Sequence, residues 1–150
     1  MLLVDTNVLV DVLQDDPQWA NWSIGQLRAQ ASIHQLTINP IIYAEISLSF
    51  STLEGLDSAV STLALELREI SRPALFLAAK AFVQYRRRGG RKLQVLPDFF
   101  IGAHAAVEGW PLLTRDASRF RTYFPTLDEV NANKAAVTGG WDAVVGANVQ

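Results

Sequence analysis

Short apolar runs alternate with helix-like patterns along most of this 150-residue chain. The apolar run at residues 1–4 is typical of strands in a parallel sheet that helices cover on both faces, and residues 34–39 and 110–114 are further predicted strands. Because strands and helices alternate along the sequence, we predict an α/β fold whose central, mostly parallel sheet is flanked by helices.

Proline and glycine mark the expected ends of the helices. Asp16-Pro17 and Pro97-Asp98 have the composition of helix starts, since Pro is favoured at the first helical position. Gly89-Gly90 and Gly109 follow helical patterns and are expected to end them. We expect further helices over residues 56–67 and 73–88 and a last strand over 126–130. The piece over 67–71 is ambiguous, and we interpret it as extended.

The composition describes one folded domain without a general affinity for nucleic acid. Hydrophobic residues make up 49% of the chain, and the absence of cysteine excludes disulfides, thiolate catalysis and Cys-based zinc sites. The formal charge is -2, so a nucleic-acid site would need its positive charge concentrated locally. We expect one domain over residues 1–130, and a tail of unknown role over residues 131–150.

The apolar start of the chain does not resemble a targeting segment. It lacks a basic leader, and Asp5 interrupts the apolar run. The longest stretch without charged residues is shorter than the roughly 20 apolar residues that a spanning helix needs. We therefore expect a cytoplasmic protein that makes no membrane contact.

Carboxylates are expected to gather at one edge of the predicted sheet. Asp5 directly follows the first strand, and Asp116 follows the strand at residues 110–114. Glu45 lies in the first turns of the helix after the second strand, and Asp98 lies in the first turn of another helix. Open parallel sheets form their sites at this edge, so the four acids are candidates for one functional site.

Each of these acids also has a purely structural explanation. A helix dipole favours an anion in the first turn by about 0.3–1 kcal/mol, which would account for Asp98 and Asp116. Asp5 would serve as a helix cap, and Glu45 as a surface residue. Carboxylates brought together raise each other's pKa, however, and a hard cation such as Mg²⁺ removes that cost. Their grouping therefore favours a metal site.

Two long motifs connect the chain to a known family. The segments LLVDTNVLVDVL and LPDFFIGAHAAVEGWPLLTRDASRF, with a helical Glu between them and a short extended piece at the end, resemble the PIN domain. Within that family the chain is most similar to the VapC toxins of bacterial type II toxin–antitoxin pairs. The resemblance covers residues 1–130, and it implies a PIN-like fold and a metal-dependent endoribonuclease.

The resemblance can be carried over residue by residue. It makes four acids the catalytic residues and the ligands of Mg²⁺ or Mn²⁺: Asp5, Glu45, Asp98 and Asp116. The polar positions that support these acids match Thr6, Asn7 and Thr114. Glu54 is the alternative to Glu45 by position, but it lies in the turn-like sequence LEGLD.

One dense basic run precedes the helix start at Pro97. It could be a solvated helix end, where cations suit the dipole, or a flank that grips RNA phosphates near Asp98. Five residues separate Lys92 from Asp98. The candidate RNA-binding residues are Arg86, Arg87, Arg88, Arg91, Lys92 and Arg115, and Arg119 flanks Asp116 in a similar way.

Histidine and tryptophan add weaker signals. His104 and Glu108 have the spacing of a zinc pair, although a half-buried histidine paired with Glu108 is the simpler interpretation. Trp19 and Trp22 are three residues apart, which favours one helix face in the core or an interface over base stacking.

The resemblance also implies partners: an RNA substrate, a cognate antitoxin and a second copy in a homodimer. Five aromatic residues are candidates to line an antitoxin groove: Trp19, Trp22, Phe76, Phe82 and Tyr85. Two alternatives belong to other functional classes. One is a catalytically silent PIN-type module that binds RNA or protein. The other is a phospho-accepting receiver-like domain, which would need a Lys where the chain has Arg115.

Overall fold

One parallel sheet organises the protein. The computed structural model of the chain describes residues 1–94 and 96–130, so the expected tail lies outside the described residues. Within them, five parallel strands pair in the order β3-β2-β1-β4-β5. The strands are β1 (Leu2–Val4), β2 (Leu36–Ile38), β3 (Glu66–Leu67), β4 (Leu112–Leu113) and β5 (Glu129–Val130). The predicted α/β class with a parallel sheet is confirmed.

Helices fill the connections between these parallel strands, as parallel pairing requires. They are α1 (Thr6–Leu13), α2 (Ala20–Ala31), α3 (Pro40–Ile46), α4 (Leu53–Thr62), α5 (Arg72–Arg87), α6 (Pro97–Glu108) and α7 (Ser118–Arg121), and a 3₁₀ turn at Ser47–Ser49 follows α3. In the described part of the chain, no helix combines the length and the apolar character needed to cross a bilayer.

The core lies on both faces of the three central strands. All residues of β1, β2 and β4 are buried, which explains why their sequences are apolar apart from Thr37 in β2. Helix α6 approaches its neighbours closely at Gly102, where an added Cβ would lie 2.5 Å from the Phe124 ring. This close packing fixes the position of α6, whose first turn carries Asp98.

Local signals predicted several helix boundaries correctly. Helix α3 begins at Pro40, and the Asn39 side chain caps it by accepting a hydrogen bond from the Ile42 N–H at 3.0 Å. Helix α6 begins at Pro97 and ends at Gly109, whose φ of 71° is one that glycine adopts without strain.

Two predicted helices had wrong boundaries, α2 at its start and α4 at both ends, since α4 begins at Leu53. Helix α2 begins at Ala20 rather than at Asp16-Pro17, because Asp16 first closes a turn by accepting hydrogen bonds from the Gln18 and Trp19 N–H groups. The helix predicted over residues 56–67 is α4, which ends at Thr62. The chain then turns at Ala64 and enters the sheet as β3, pairing with β2.

Candidate active site

Asp5 lies at the carboxyl end of β1, where the chain turns into α1. Only 1% of the residue is exposed. Its backbone N–H donates to the Leu113 carbonyl oxygen at 2.8 Å, which ties β1 to the end of β4. Asp5 occupies the N-cap position of α1, but its carboxylate makes no capping hydrogen bond of the usual kind. The purely structural explanation of Asp5 as a helix cap therefore fails.

The Asp5 carboxylate instead faces two side chains from the segment after β4. Its Oδ2 accepts a hydrogen bond from the Thr114 hydroxyl at 2.8 Å and another from Nη2 of Arg119 at 2.5 Å. Burial raises the pKa of Asp5, and Arg119 and Thr114 act in the opposite direction. An ionised Asp5 thus depends on a cation beside it.

Arg119 brings three of the predicted acids together. Beyond its contact with Asp5, its Nη1 lies 3.5 Å from Oδ2 of Asp98, and its Nε lies 3.9 Å from Oδ2 of Asp116. Burial raises the pKa of Asp98, Arg119 lowers it, and the nearby Asp116 raises it further. The strand ends and helix starts predicted from sequence therefore do meet around one positive charge.

Glu45 reaches the same region from α3. Its Oε1 accepts a hydrogen bond from the Thr6 hydroxyl at 2.5 Å, which places the Glu45 carboxylate beside the residue that follows Asp5. Glu54, the alternative, is exposed in the first turn of α4, so the turn expected around it was wrong. The contact with Thr6 makes Glu45 the better candidate.

The predicted supporting residues connect the acids. The Thr114 hydroxyl donates to Asp5 and also accepts a hydrogen bond from the Asp116 N–H at 3.1 Å. Asn7 accepts a long hydrogen bond, 3.5 Å, from the Arg115 N–H. These contacts hold the chain after β4 against the start of α1 and so fix the spacing of Asp5 and Asp116.

The donor chemistry of this cluster suits a hard divalent cation, because its ligating atoms are carboxylate oxygens and a positive charge already lies among them. The present positions of the side chains do not suit such an ion. Among the side chains of residues 1–94 and 96–130, no three His, Asp or Glu converge closely enough to hold an ion. The guanidinium of Arg119 separates the carboxylates, so a metal requires Arg119 to move.

The comparison with protein families gives a clear result. The model of the PIN domain matches residues 2–124. The chain belongs to the PIN domain family. Membership in this family argues against the receiver-like alternative. No curated protein sequence gives a significant match to this PIN domain.

Solved structures with the same fold include several complexes. The PIN domain superposes on VapBC2 from Rickettsia felis bound to promoter DNA with a TM-score of 0.66 and 20% identity, covering 87% of this chain and 97% of that one. VapBC-1 from nontypeable Haemophilus influenzae gives 0.63 and 17%, covering 85% and 95%. DNA-bound VapBC from Salmonella typhimurium gives 0.62 and 18%, covering 87% and 98%.

The basic run of this PIN domain is exposed, but some of its side chains have structural contacts. Nη1 of Arg86 donates to the carbonyl oxygens of Gly90 at 3.3 Å and Lys92 at 3.0 Å, which holds the loop after α5. Arg88 lies over the Tyr123 ring, 5.5 Å from its centroid. Tyr123 in turn packs against Phe99, the residue after Asp98. The run therefore lies on the side of the fold where α6 begins.

Arg115 makes two contacts that the sequence did not predict. Its Nε donates to Oδ2 of Asp11 at 3.1 Å, and its guanidinium lies over the Trp19 ring. Asp11 is buried and also accepts a hydrogen bond from Ser23 at 2.9 Å. Burial raises the pKa of Asp11, while Ser23 and Arg115 lower it. The role of Asp11 was not predicted, because its partners are distant in sequence.

His104 is fully buried, not half-buried, and hydrogen-bonds to Asn39. The Asn39 oxygen accepts from the Ile42 N–H, so its amide nitrogen donates to Nδ1 of His104 at 3.1 Å. Nε2 has no hydrogen-bond partner within the described part of the chain. His104 therefore links α6 to the cap of α3, the helix that carries Glu45, which is a structural role.

Most of the aromatic residues predicted to line a groove pack inward. Phe82 and Tyr85 contact the Phe99 ring, with centroids 6.3 and 5.6 Å away. Trp19 and Trp22 contact each other edge to face and are partly buried, as expected for core residues. Phe76 is the exposed member of the set, at 65%.

Proposed function

We propose that this PIN domain is a Mg²⁺- or Mn²⁺-dependent endoribonuclease that acts as the toxin of a toxin–antitoxin pair. The observation that carries the proposal is the meeting of Asp5, Asp98 and Asp116 around one cation at the carboxyl edge of the sheet. A buried ion pair is weak evidence for a stabilising role, so the burial of Asp5 in its pair with Arg119 favours a functional role for this carboxylate.

We assign to the four acids the binding of one or two divalent ions. Asp5, Glu45 and Asp98 would be the main ligands, and Asp116 would complete the set. When bound, such ions promote the attack of water on a phosphodiester and stabilise the leaving 3′ oxygen. Thr114 orients Asp5, and Thr6 orients Glu45, through the hydrogen bonds that their hydroxyl groups donate. Asn7 holds the segment that carries Asp116.

The basic side chains near the start of α6 are proposed to bind the phosphates of the RNA backbone. Arg87, Arg91 and Lys92 are exposed, and Arg88 projects over Tyr123 toward the helix that carries Asp98. Arg115 keeps its Nη groups for a phosphate while Asp11 holds its Nε. Such contacts bind RNA without reading its sequence.

The partner is proposed to be a small antitoxin bound to a toxin homodimer. The similar solved structures from Rickettsia felis, Haemophilus influenzae and Salmonella typhimurium are VapBC complexes, which supports the pairing. Helix α5 offers an apolar surface, because Leu75, Phe76 and Val83 are at least 40% exposed. Aromatic and aliphatic side chains of this kind are typical interface anchors.

Cleavage of RNA by the purified protein tests the enzymatic part of the proposal. We expect cleavage with Mg²⁺ or Mn²⁺, its loss with a chelator, and its loss in Asp5→Asn. Asp15→Asn is the matched control, because Asp15 is exposed and has a left-handed φ of 49°, which Asn tolerates. Full cleavage by a folded Asp5→Asn protein would refute the assignment.

Co-expression tests the toxin assignment separately. Expression of the chain alone should arrest growth, and the protein encoded by the neighbouring upstream gene should relieve the arrest and co-purify as an RNase-inactive complex. A chain that is harmless alone and active beside that gene product would contradict the toxin role and leave the nuclease role intact.

One observation favours a second candidate, a catalytically silent PIN module that binds RNA or protein. Arg119 already offsets part of the negative charge of the acidic cluster without a metal. Absence of Mn²⁺ binding by the wild-type protein, measured by calorimetry, would favour this candidate over the enzyme.

A further inference from the structure

Arg119 contacts the acidic cluster in an unusual way, because each of its three guanidinium nitrogens faces a different carboxylate. Nη2 contacts Asp5, Nη1 faces Asp98 and Nε faces Asp116, at 2.5, 3.5 and 3.9 Å. These three acids are 93 and 18 residues apart in sequence, so the guanidinium is the common point of an otherwise long-range assembly. Ordinary surface ion pairs join two groups and have little effect on stability.

The guanidinium and a divalent ion need the same oxygen atoms. Oδ2 of Asp5 already accepts hydrogen bonds from Arg119 and Thr114, and the Oδ2 atoms of Asp98 and Asp116 face Arg119 as well. An ion at the centre of the cluster would lie within a few ångströms of the guanidinium and would be repelled by it. Binding of the ion and the present position of Arg119 therefore exclude each other.

Arg119 also has a route out of the cluster. Its side chain is 36% exposed, whereas Asp5 is 1% exposed. It projects from the short helix α7, and a long flexible side chain can turn into solvent without any change in the backbone. Leaving the cluster thus needs only rotation about side-chain bonds.

We propose that Arg119 is a resident counter-cation of the metal site: it offsets part of the negative charge of the acids in the metal-free protein and is exchanged for the divalent ion. The inference rests on the proposed metal-binding role of these acids. It assigns to Arg119 a function different from the phosphate contact expected from its place beside Asp116. Arg119 holds the acids close together, and it lowers the apparent affinity for metal.

The size of the effect follows from competition. When the binding-competent state is a fraction of the molecules, the apparent dissociation constant rises by the inverse of that fraction. If Arg119 is withdrawn in about a tenth of metal-free molecules, its removal tightens metal binding about tenfold. The same removal lowers the stability of the metal-free protein, because the carboxylates then repel each other.

Titration of the full chain with Mn²⁺, followed by calorimetry or by the electron spin resonance of free Mn²⁺, tests the exchange. We expect Arg119→Gln to bind Mn²⁺ about tenfold more tightly than wild type. Its melting temperature should be lower than that of wild type without metal, and added Mn²⁺ should raise it by more than it raises the melting temperature of wild type. Arg121→Gln is the matched control: it removes the same charge from the same helix, and Arg121 pairs with Glu129 rather than with the acids.

Each result has a distinct meaning. Binding of equal strength in wild type and Arg119→Gln, or equal tightening in Arg121→Gln, overturns the exchange and leaves the metal-dependent function standing. Weaker binding in Arg119→Gln also overturns it, since Arg119 would then be ordering the acids for metal. No Mn²⁺ binding by either protein overturns the proposed function itself. If Arg119→Gln does not fold, Arg119→Lys serves, because an ammonium cannot span three carboxylates.

Discussion

Thr114 offers a sharp test of how the candidate site is held together. Replacing it with Val keeps the volume and the branched shape of a fully buried residue, but removes a hydroxyl that serves two acids. The hydroxyl donates to Asp5 at 2.8 Å and accepts from the Asp116 N–H at 3.1 Å. Because packing is nearly unchanged, the loss reports the two hydrogen bonds together with the cost of leaving their partners unsatisfied.

The expected magnitude follows from those two contacts. A hydrogen bond to a charged group contributes about 1.5–3 kcal/mol, and one between neutral groups about 0.5–1.5 kcal/mol. The exposed Asp116 can bond to water instead, so we expect a loss of about 2–3 kcal/mol in the free energy of unfolding. For a chain of this length the melting temperature should fall by about 5–10 °C.

Urea unfolding monitored by tryptophan fluorescence measures this loss, with an unchanged slope against denaturant. Thr37→Val is the matched control, because Thr37 is also fully buried in the sheet but donates only to the Gln35 carbonyl oxygen at 3.2 Å. It should lose about 0.5–1.5 kcal/mol. If Thr114→Val loses no more than Thr37→Val, the Thr114 hydroxyl does not hold Asp5.

Three further predictions use other parts of the molecule. Burial lowers the pKa of His104, so the free energy of unfolding should fall as pH drops below 6.5, because the unfolded chain then binds a proton that the folded chain does not. His104→Gln should flatten this pH dependence in urea unfolding between pH 7 and 5. The triple change of Arg87, Arg88 and Arg91 to Ala should weaken RNA binding and reduce its salt dependence, measured by anisotropy, without altering Mn²⁺ affinity. Asp98→Asn should abolish RNA cleavage in a gel assay while far-ultraviolet circular dichroism stays that of wild type.

Local sequence signals predicted the parts of the fold that local chemistry decides. The apolar runs of β1 and β4 are strands because both faces are covered, and Pro97 and Gly109 bound α6 because of their restricted or permissive backbones. The two-residue strand β3 was predicted as the end of the helix over residues 56–67, and only Leu67 of it falls in the ambiguous piece over 67–71. Its strand character comes from pairing with β2, and no local pattern encodes that contact.

The sequence predicted which acids lie at one edge of the sheet, but not which cation lies among them. Topology alone places Asp5 and Asp116 after neighbouring parallel strands, and the structure confirms their proximity. Arg115, Arg119 and Arg121 all lie within five residues of Asp116 in sequence. Which of them turns inward depends on distances of a few ångströms, and these place Arg119 among the acids and Arg115 on Asp11.

The pairing of Asp5 with Arg119 has a consequence for protein synthesis. These residues are 114 positions apart, so the acids cannot come together until nearly all of the described chain has left the ribosome. At about 5–20 residues per second, translation takes several seconds to reach Arg119 after Asp5. A nascent chain that stops before residue 112 has β1 and Asp5 but neither β4 nor Thr114. Interrupted translation therefore yields fragments without an assembled acidic cluster, and only a chain that extends past Arg119 can carry one.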